Sequence, residues 1–425
     1  MRPSAVSGIF VSALILITAA CAPQLQAPPK KKETAMPIKA PFLANNGKLV
    51  LMHYMPWYKT PVRRGAWGSH WTGHQQQHNP DRIKENGLPD IWSNYHPLIG
   101  LYDSTDPQVV ECHLLQMKLA GVHGVIADWY GISDTADYPE IHESTKVLFD
   151  VAAKLGMQFA VCYEDRTIQL MVDWKKITPD QVTNHLAETF QWLEQHWFAA
   201  DHYVRLGDRP LFLNFGPIYV QGAEVWKTAM QSLQIKPAFY ALHHLWRSAG
   251  ADGGFTWVHY DPWQGTPDEQ QIKTRIREVF DYCSRQPDEV IVSACPGFND
   301  VYEQKHPSLA YRDGATLKEM LDVGLNGPWP VVQLATWNDY GEGTMFEPTH
   351  EFGYLFLEIL QEQCRPRQPE LSTVSKEDLR LPARLLALRV KGLPDEPLDR
   401  VAGLLARGDT RTASIELDKL EATVK

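Results

Sequence analysis

The segment Ala335-Thr336-Trp337-Asn338-Asp339-Tyr340-Gly341-Glu342-Gly343-Thr344 carries two carboxylates three residues apart, the second flanked by glycines. A strand sends successive side chains to opposite faces, so this spacing would hold Asp339 and Glu342 apart. Gly341 and Gly343 break the alternation and permit a turn that aims both acids at one opening. Neighbouring carboxylates push their proton affinities apart, which keeps one protonated while the other is charged. Such a pair suits cleavage of a glycosidic bond, where one acid protonates the leaving oxygen and the other activates a nucleophile. The plainer reading is a turn whose acids cap helix N-termini.

The elements that must position this pair are legible from Lys48 onward. Short apolar runs at 48–58, 123–131, 158–165, 209–217, 236–244, 255–263, 289–300 and 331–343 read as buried parallel strands. Between them lie helical patterns at 106–120, 140–155, 178–198, 223–234, 267–285 and 313–324, and 352–364 closes the series. Asp106-Pro107 and Thr178-Pro179 mark two of the starts. The connection at 245–253 holds only a short helical turn. Eight strands alternating with helices predict an α/β chain closed as a (β/α)8 barrel. A doubly wound sheet would need a glycine-rich phosphate turn after the first strand, and MPWYKTP is not one.

Polar and aromatic residues collect at the carboxyl ends of these runs, where barrels of this kind build their sites. The ends carry Tyr54, Trp57 and Tyr58; Asp128, Trp129 and Tyr130; Tyr163, Glu164 and Asp165; and Asn214, His243 and His244. They continue with His259, Tyr260, Asp261 and Trp263, then Asn299 and Asp300, then Trp337, Asn338, Asp339 and Glu342. The amino ends offer only Lys48, Arg209, Lys236 and Glu289. Acids that bond hydroxyls, beside rings that cover the C–H face of a pyranose, suit a carbohydrate. Packing is the competing explanation for each ring taken singly.

TWNDYGEG, followed by Glu347-Pro348, resembles the end-of-barrel motif of glycoside hydrolase families seventy-one and ninety-nine. YMPWY (54–58), the segment Trp67-Gly68-Ser69-His70-Trp71, YHPLIGLYDSTDP (95–107), ADWYG (127–131), PGFND (296–300) and YRDG (311–314) resemble family ninety-nine in order. The resemblance spans about residues 48–360 and implies a barrel glycosidase, either an α-1,3-glucanase or an endo-α-mannosidase. The family ninety-nine motif reads NEWHEG, so Asp339 stands for its first Glu and Glu342 for its second. That pattern implies a retaining route in which the first acid deprotonates the sugar 2-hydroxyl and the second protonates the leaving oxygen. NDYGE is closer to the glucanase motif, which is associated with inversion. The resemblance also implies that Tyr54, Glu164, Tyr260 and Arg312 contact substrate.

Asp339 is therefore the expected base and Glu342 the expected acid. The expected sugar-binding residues are Tyr54, Trp57, His70, Trp71, Trp129, Tyr130, Glu164, Asn214, Tyr260, Arg312, Trp337 and Asn338. No metal or organic cofactor is implied, and the expected partner is an extracellular oligo- or polysaccharide. The alternative is a non-catalytic glycan-binding lipoprotein on a decayed barrel, which would keep the aromatic platforms without needing both acids.

The chain ends carry addresses rather than chemistry. Arg2 precedes an apolar run, Ile9 to Ile17, too short to span a bilayer. Thr18-Ala19-Ala20 then leads into Cys21, an arrangement that resembles a bacterial lipobox and implies a lipidated cysteine. Ordinary secretion with cleavage near Ala20 is the alternative. Residues 21–46, rich in Pro, Lys and Ala, read as a flexible tether. The expected organisation is a signal peptide at 1–20, the tether at 21–46, the barrel at 47–364 and a helical appendage at 365–425, with one or two short helices (397–406 and 413–422). The expected location is the cell envelope, with the membrane reached through the lipid anchor alone. A net charge of -10 argues against nucleic acid as a partner. Cys112, Cys162, Cys283, Cys295 and Cys364 form neither a disulfide framework nor a zinc pattern.

Overall fold

The computed structural model describes residues 48–258, 268–302 and 308–424. The expected signal peptide, the whole tether, Cys21 and Tyr260 all lie outside them. Eight strands form the frame: β1 (Leu49–Tyr54), β2 (Gly124–Trp129), β3 (Gln158–Tyr163), β4 (Arg209–Asn214), β5 (Ala238–Leu242), β6 (Gly253–Phe255), β7 (Val290–Ala294) and β8 (Val331–Leu334). They pair in parallel in the order β3-β2-β1-β8-β7-β6-β5-β4, and a β3–β4 pairing closes the ring. This is the (β/α)8 barrel, and closure leaves it no open edge.

Helices α1 (Pro107–Leu119), α2 (Tyr138–Lys154), α3 (Val182–Leu193), α4 (Ala223–Ala229), α5 (Trp246–Ala249), α6 (Glu269–Cys283), α7 (Ala315–Asn326) and α8 (Leu355–Cys364) follow the strands in turn. Asp106 caps α1 by accepting from the Gln108 N–H at 3.0 Å, with Pro107 at the first helical position. A capping box of Asp268 and Gln271 opens α6. The sixth strand lies earlier than the 255–263 run suggested. It occupies Gly253–Phe255 because a Cβ at Gly253 would collide with the Glu289 carbonyl, so only glycine lets the backbones pair here.

Strand alternation decides what each strand end can reach. On β1, His53 turns inward, its Nε2 2.9 Å from Gln333 Oε1 across the barrel floor. Gln333 in turn donates to Ser293 Oγ at 2.7 Å. The next residue, Tyr54, turns outward to α1, where its hydroxyl meets His113 Nδ1 at 3.0 Å.

The tail holds three α-helices among the described residues where one or two helices were expected: α9 (Leu381–Val390), α10 (Asp395–Ala406) and α11 (Thr410–Ala422). α9 escaped notice because LPARLLALRV is apolar on most sides and shows no single stripe. Leu381, Leu385, Leu386 and Leu388 are buried. Arg389 at its end pairs with Glu111 of α1 at 2.7 Å and with Asp399 of α10 at 2.9 Å.

Candidate active site

The loop after β8 is pinched shut at its base. The Thr336 N–H donates to the Thr344 carbonyl at 3.0 Å, and their hydroxyls lie 3.0 Å apart. Inside the loop the Asp339 N–H donates to Thr336 Oγ1 at 2.8 Å. The Glu342 N–H donates to Asp339 Oδ1 at 2.9 Å. The segment following β7 sews the outer edge: the Asn299 N–H donates to the Glu342 carbonyl at 2.8 Å and the Val301 N–H to the Gly341 carbonyl at 2.9 Å.

Two glycines make this geometry possible. A Cβ at Gly341 would overlap the Tyr302 ring, whose hydroxyl donates to Asp339 Oδ1 at 3.3 Å. Gly343 sits at φ +68°, and a Cβ there would lie 2.7 Å from the Tyr311 hydroxyl. The turn thus brings Asp339 and Glu342 together despite their spacing.

Burial then sets the proton affinities. It pushes Asp339 up to about 7, with hydrogen bonds from Glu342 and Tyr302 pulling down and the Asp300 charge pushing up. Burial also holds Glu342 well above the usual carboxylate range, reinforced by the charges of Asp339 and Asp300. Glu342 Oε2 is buried with no hydrogen-bond partner among the described residues. Asp128 turns inward from β2 and is pushed up to about 7 by burial, with Tyr130 opposing and the Asp339 charge adding to it. Glu164, at the end of β3, is raised by burial first and by Asp128 next, while Arg166 opposes. Acids from four strand ends therefore share one low-dielectric mouth. Among the described residues no group of three or more His, Cys, Asp or Glu is placed to hold a metal ion.

Of the expected sugar-binding residues, the structure brings Glu164 and Tyr130 to this mouth. Tyr130 feels the charges of Asp128 and Glu164 and stacks on Tyr138, ring centroids 5.0 Å apart. Trp57 and His70 lie face to face at 4.1 Å on the β1–α1 loop, and Trp57 lines a cavity with Lys59, Arg64 and Trp67.

The others are placed elsewhere. Tyr54 and Trp129 are fully buried on the outward faces of β1 and β2, and the Trp129 indole N–H donates to His142 at 3.1 Å beneath Trp192 and Trp197. Trp71 is buried against Tyr58, its N–H bonded to the Tyr102 carbonyl at 3.2 Å. Trp337 packs on His113 at 5.3 Å. Asn338 spends its amide on both backbone groups of Met55, at 2.8 and 3.1 Å. Asn214 donates to Asp165 at 3.4 Å, and Asp165 accepts from the Ile218, Tyr219 and Val220 N–H groups. Arg312 grips Glu319 at 2.8 and 3.3 Å on α7. In the structure these seven side chains are engaged with the protein's own framework.

Four residues of the site were not chosen from sequence. Asp128 and Asp300 stood among the rim acids, and alternation from outward Trp129 would have picked out Asp128. Tyr302 and Trp257 carry no local pattern that marks them. Trp257 lies edge-on to His53 at 4.7 Å and lowers the proton affinity of Glu342.

A family profile described as glycosyl hydrolase family 99 matches residues 46–352. The human "Glycoprotein endo-alpha-1,2-mannosidase-like protein" is 24% identical over 348 residues, covering 75% of this chain and 72% of that protein. The mouse "Glycoprotein endo-alpha-1,2-mannosidase" is 29% identical over 351 residues, covering 75% and 71%. Among solved structures, the GH99 endo-alpha-mannosidase from Bacteroides thetaiotaomicron shares the fold at a TM-score of 0.54 and 19% identity, covering 75% of this chain and 98% of that one.

Proposed function

Because this chain belongs to glycosyl hydrolase family 99, a family of glycosidases, we propose that it is an endo-acting α-mannosidase with Glu342 as general acid and Asp339 as base. One observation carries the division of roles. Asp339 Oδ1 accepts hydrogen bonds from the Glu342 N–H and the Tyr302 hydroxyl, which favour its charged form. Glu342 Oε2 is buried with no hydrogen-bond partner among the described residues, and burial together with the Asp339 charge outweighs Trp257 and favours a proton on that carboxyl.

Glu342 gives this proton to the glycosidic oxygen as the C1–O bond breaks. Asp339 removes the proton of the sugar 2-hydroxyl, whose oxygen closes on C1 to form an epoxide. Water then opens the ring at C1, giving its proton to Glu342, while the 2-oxygen recovers a proton from Asp339. Two displacements at C1 leave the α configuration retained. The names of the human and mouse relatives support α-mannoside as the substrate class. The test is digestion of a panel of α-mannans and α-glucans, with NMR of the first-formed anomer. Release of an α-anomer from mannan supports the reading; a β-anomer, or activity confined to glucan, sinks it.

The apolar leader and Cys21 support a second part of the proposal, that the enzyme is exported and held at the cell envelope by a lipid on Cys21, acting on extracellular glycan.

A further inference from the structure

Beneath the loop that bears Asp339 lies a buried set of polar side chains that acid–base chemistry does not use. Glu347 follows Glu342 on the same loop and is 2% exposed. Its Oε2 accepts from the Tyr102 hydroxyl at 2.7 Å, and its Oε1 lies 3.1 Å from His113 Nε2. His113 is itself fully buried, and its Nδ1 meets the Tyr54 hydroxyl at 3.0 Å. The Tyr102 oxygen also accepts from Asn338 Nδ2 at 3.0 Å, and Asn338 directly precedes Asp339.

A carboxylate this deep is costly unless its lone pairs are occupied. Here Oε2 is held by the Tyr102 hydroxyl of the β1–α1 loop, while Oε1 approaches His113 of α1 without forming a hydrogen bond among the described residues, and the Glu347 N–H adds a bond to the Trp337 carbonyl at 2.9 Å. Asn338 is gripped at both ends: Tyr102 and Met55 take its amide, and the Tyr58 hydroxyl donates to its carbonyl at 2.7 Å. The backbone entering Asp339 therefore has one position, and Glu347 is the anchor from which that position is measured.

We infer that Glu347, acting through Tyr102 and against His113, is a positioning residue that fixes the catalytic base. The inference rests on the reading of Asp339 as base. Removing the Tyr102 hydroxyl leaves Asn338 Nδ2 with the Met55 carbonyl alone, and replacing Glu347 by its amide removes the charge that the Tyr102 hydroxyl and His113 face. Neither change touches substrate, so the loss falls on the placement of Asp339.

The experiment compares Glu347→Gln and Tyr102→Phe with Phe190→Leu, a buried change on α3 against Phe212, which lies 4.9 Å away. In the folded fraction, kcat should fall roughly tenfold to a hundredfold in the first two with KM within about twofold of wild type, as expected for small misplacement. The acid limb of their pH profiles should also move to lower pH, because a loosened Asp339 gains water. Phe190→Leu should lower Tm while keeping kcat and the profile. Unchanged kcat in Tyr102→Phe overturns the inference, even where Glu347→Gln does not fold. An equal kcat loss in Phe190→Leu overturns it as well. Asp339→Asn separates the two readings: full turnover there removes the base assignment itself.

Discussion

The backbone N–H of Glu342 donates to Oδ1 of Asp339 at 2.9 Å, so the residue proposed as acid also steadies the negative charge of the residue proposed as base. The two acids are thereby unequal before any substrate arrives. Glu342→Gln should lose turnover on polysaccharide yet keep more of it on activated aryl or fluoride substrates, whose leaving groups need no proton. Asp339→Asn should be poor on both. Each loss should reach roughly 10²–10⁴-fold, the usual worth of a proton transfer. Equal residual activity of both variants on every substrate would refute the division.

Rate should rise with pH through about 7, where buried Asp339 becomes the charged base, and fall at higher pH as Glu342 loses its proton. Glu342→Gln should erase the alkaline limb and leave the acid limb in place. A profile from kcat/KM of wild type and variant checks both halves.

Asp128 predicts a stability effect of opposite sense to a salt bridge. Burial raises it from 3.8 to about 7, so the folded chain binds that proton more tightly than the unfolded chain does. Its stabilising contribution is fully present below 3.8 and is lost as pH climbs through about 7. Asp128→Asn should therefore raise Tm at about pH 8 and change it little near pH 4. Calorimetry at the two pH values decides the matter.

Gly341→Ala should displace the Tyr302 ring and release its hydroxyl from Asp339. Turnover should fall by roughly tenfold or more, in line with lost placement rather than lost chemistry. An alanine variant with wild-type kcat would show that Tyr302 does not hold the base.

Trp129→Ala should cost about 3–5 kcal/mol of stability and leave KM unchanged, because the ring is core. This reverses what its rim position suggests. The barrel and the acid turn were readable because glycine placement and apolar runs are local signals. The misplaced residues were lost to period-2 geometry: Tyr54 and Trp129 are each one residue past an inward-facing neighbour, His53 and Asp128. His113 was unreadable for another reason, since a lone histidine within VVECHLLQMKL gives no hint of a partner 234 positions away at Glu347.

Cys21→Ser should abolish detergent partitioning of the mature protein, and wild type should carry a lipid mass on a chain starting at Cys21. A mature N-terminus elsewhere, without lipid, would return the protein to ordinary secretion.

The Arg389–Glu111 pair joins positions 278 residues apart, tying the last helices to the first helix of the ring. A chain emerging from the ribosome in order cannot complete the seat of α1 until α9 arrives. A chain halted before α9 should hold the catalytic loop in sequence yet melt at a lower temperature, with α1 the first part of the ring to loosen.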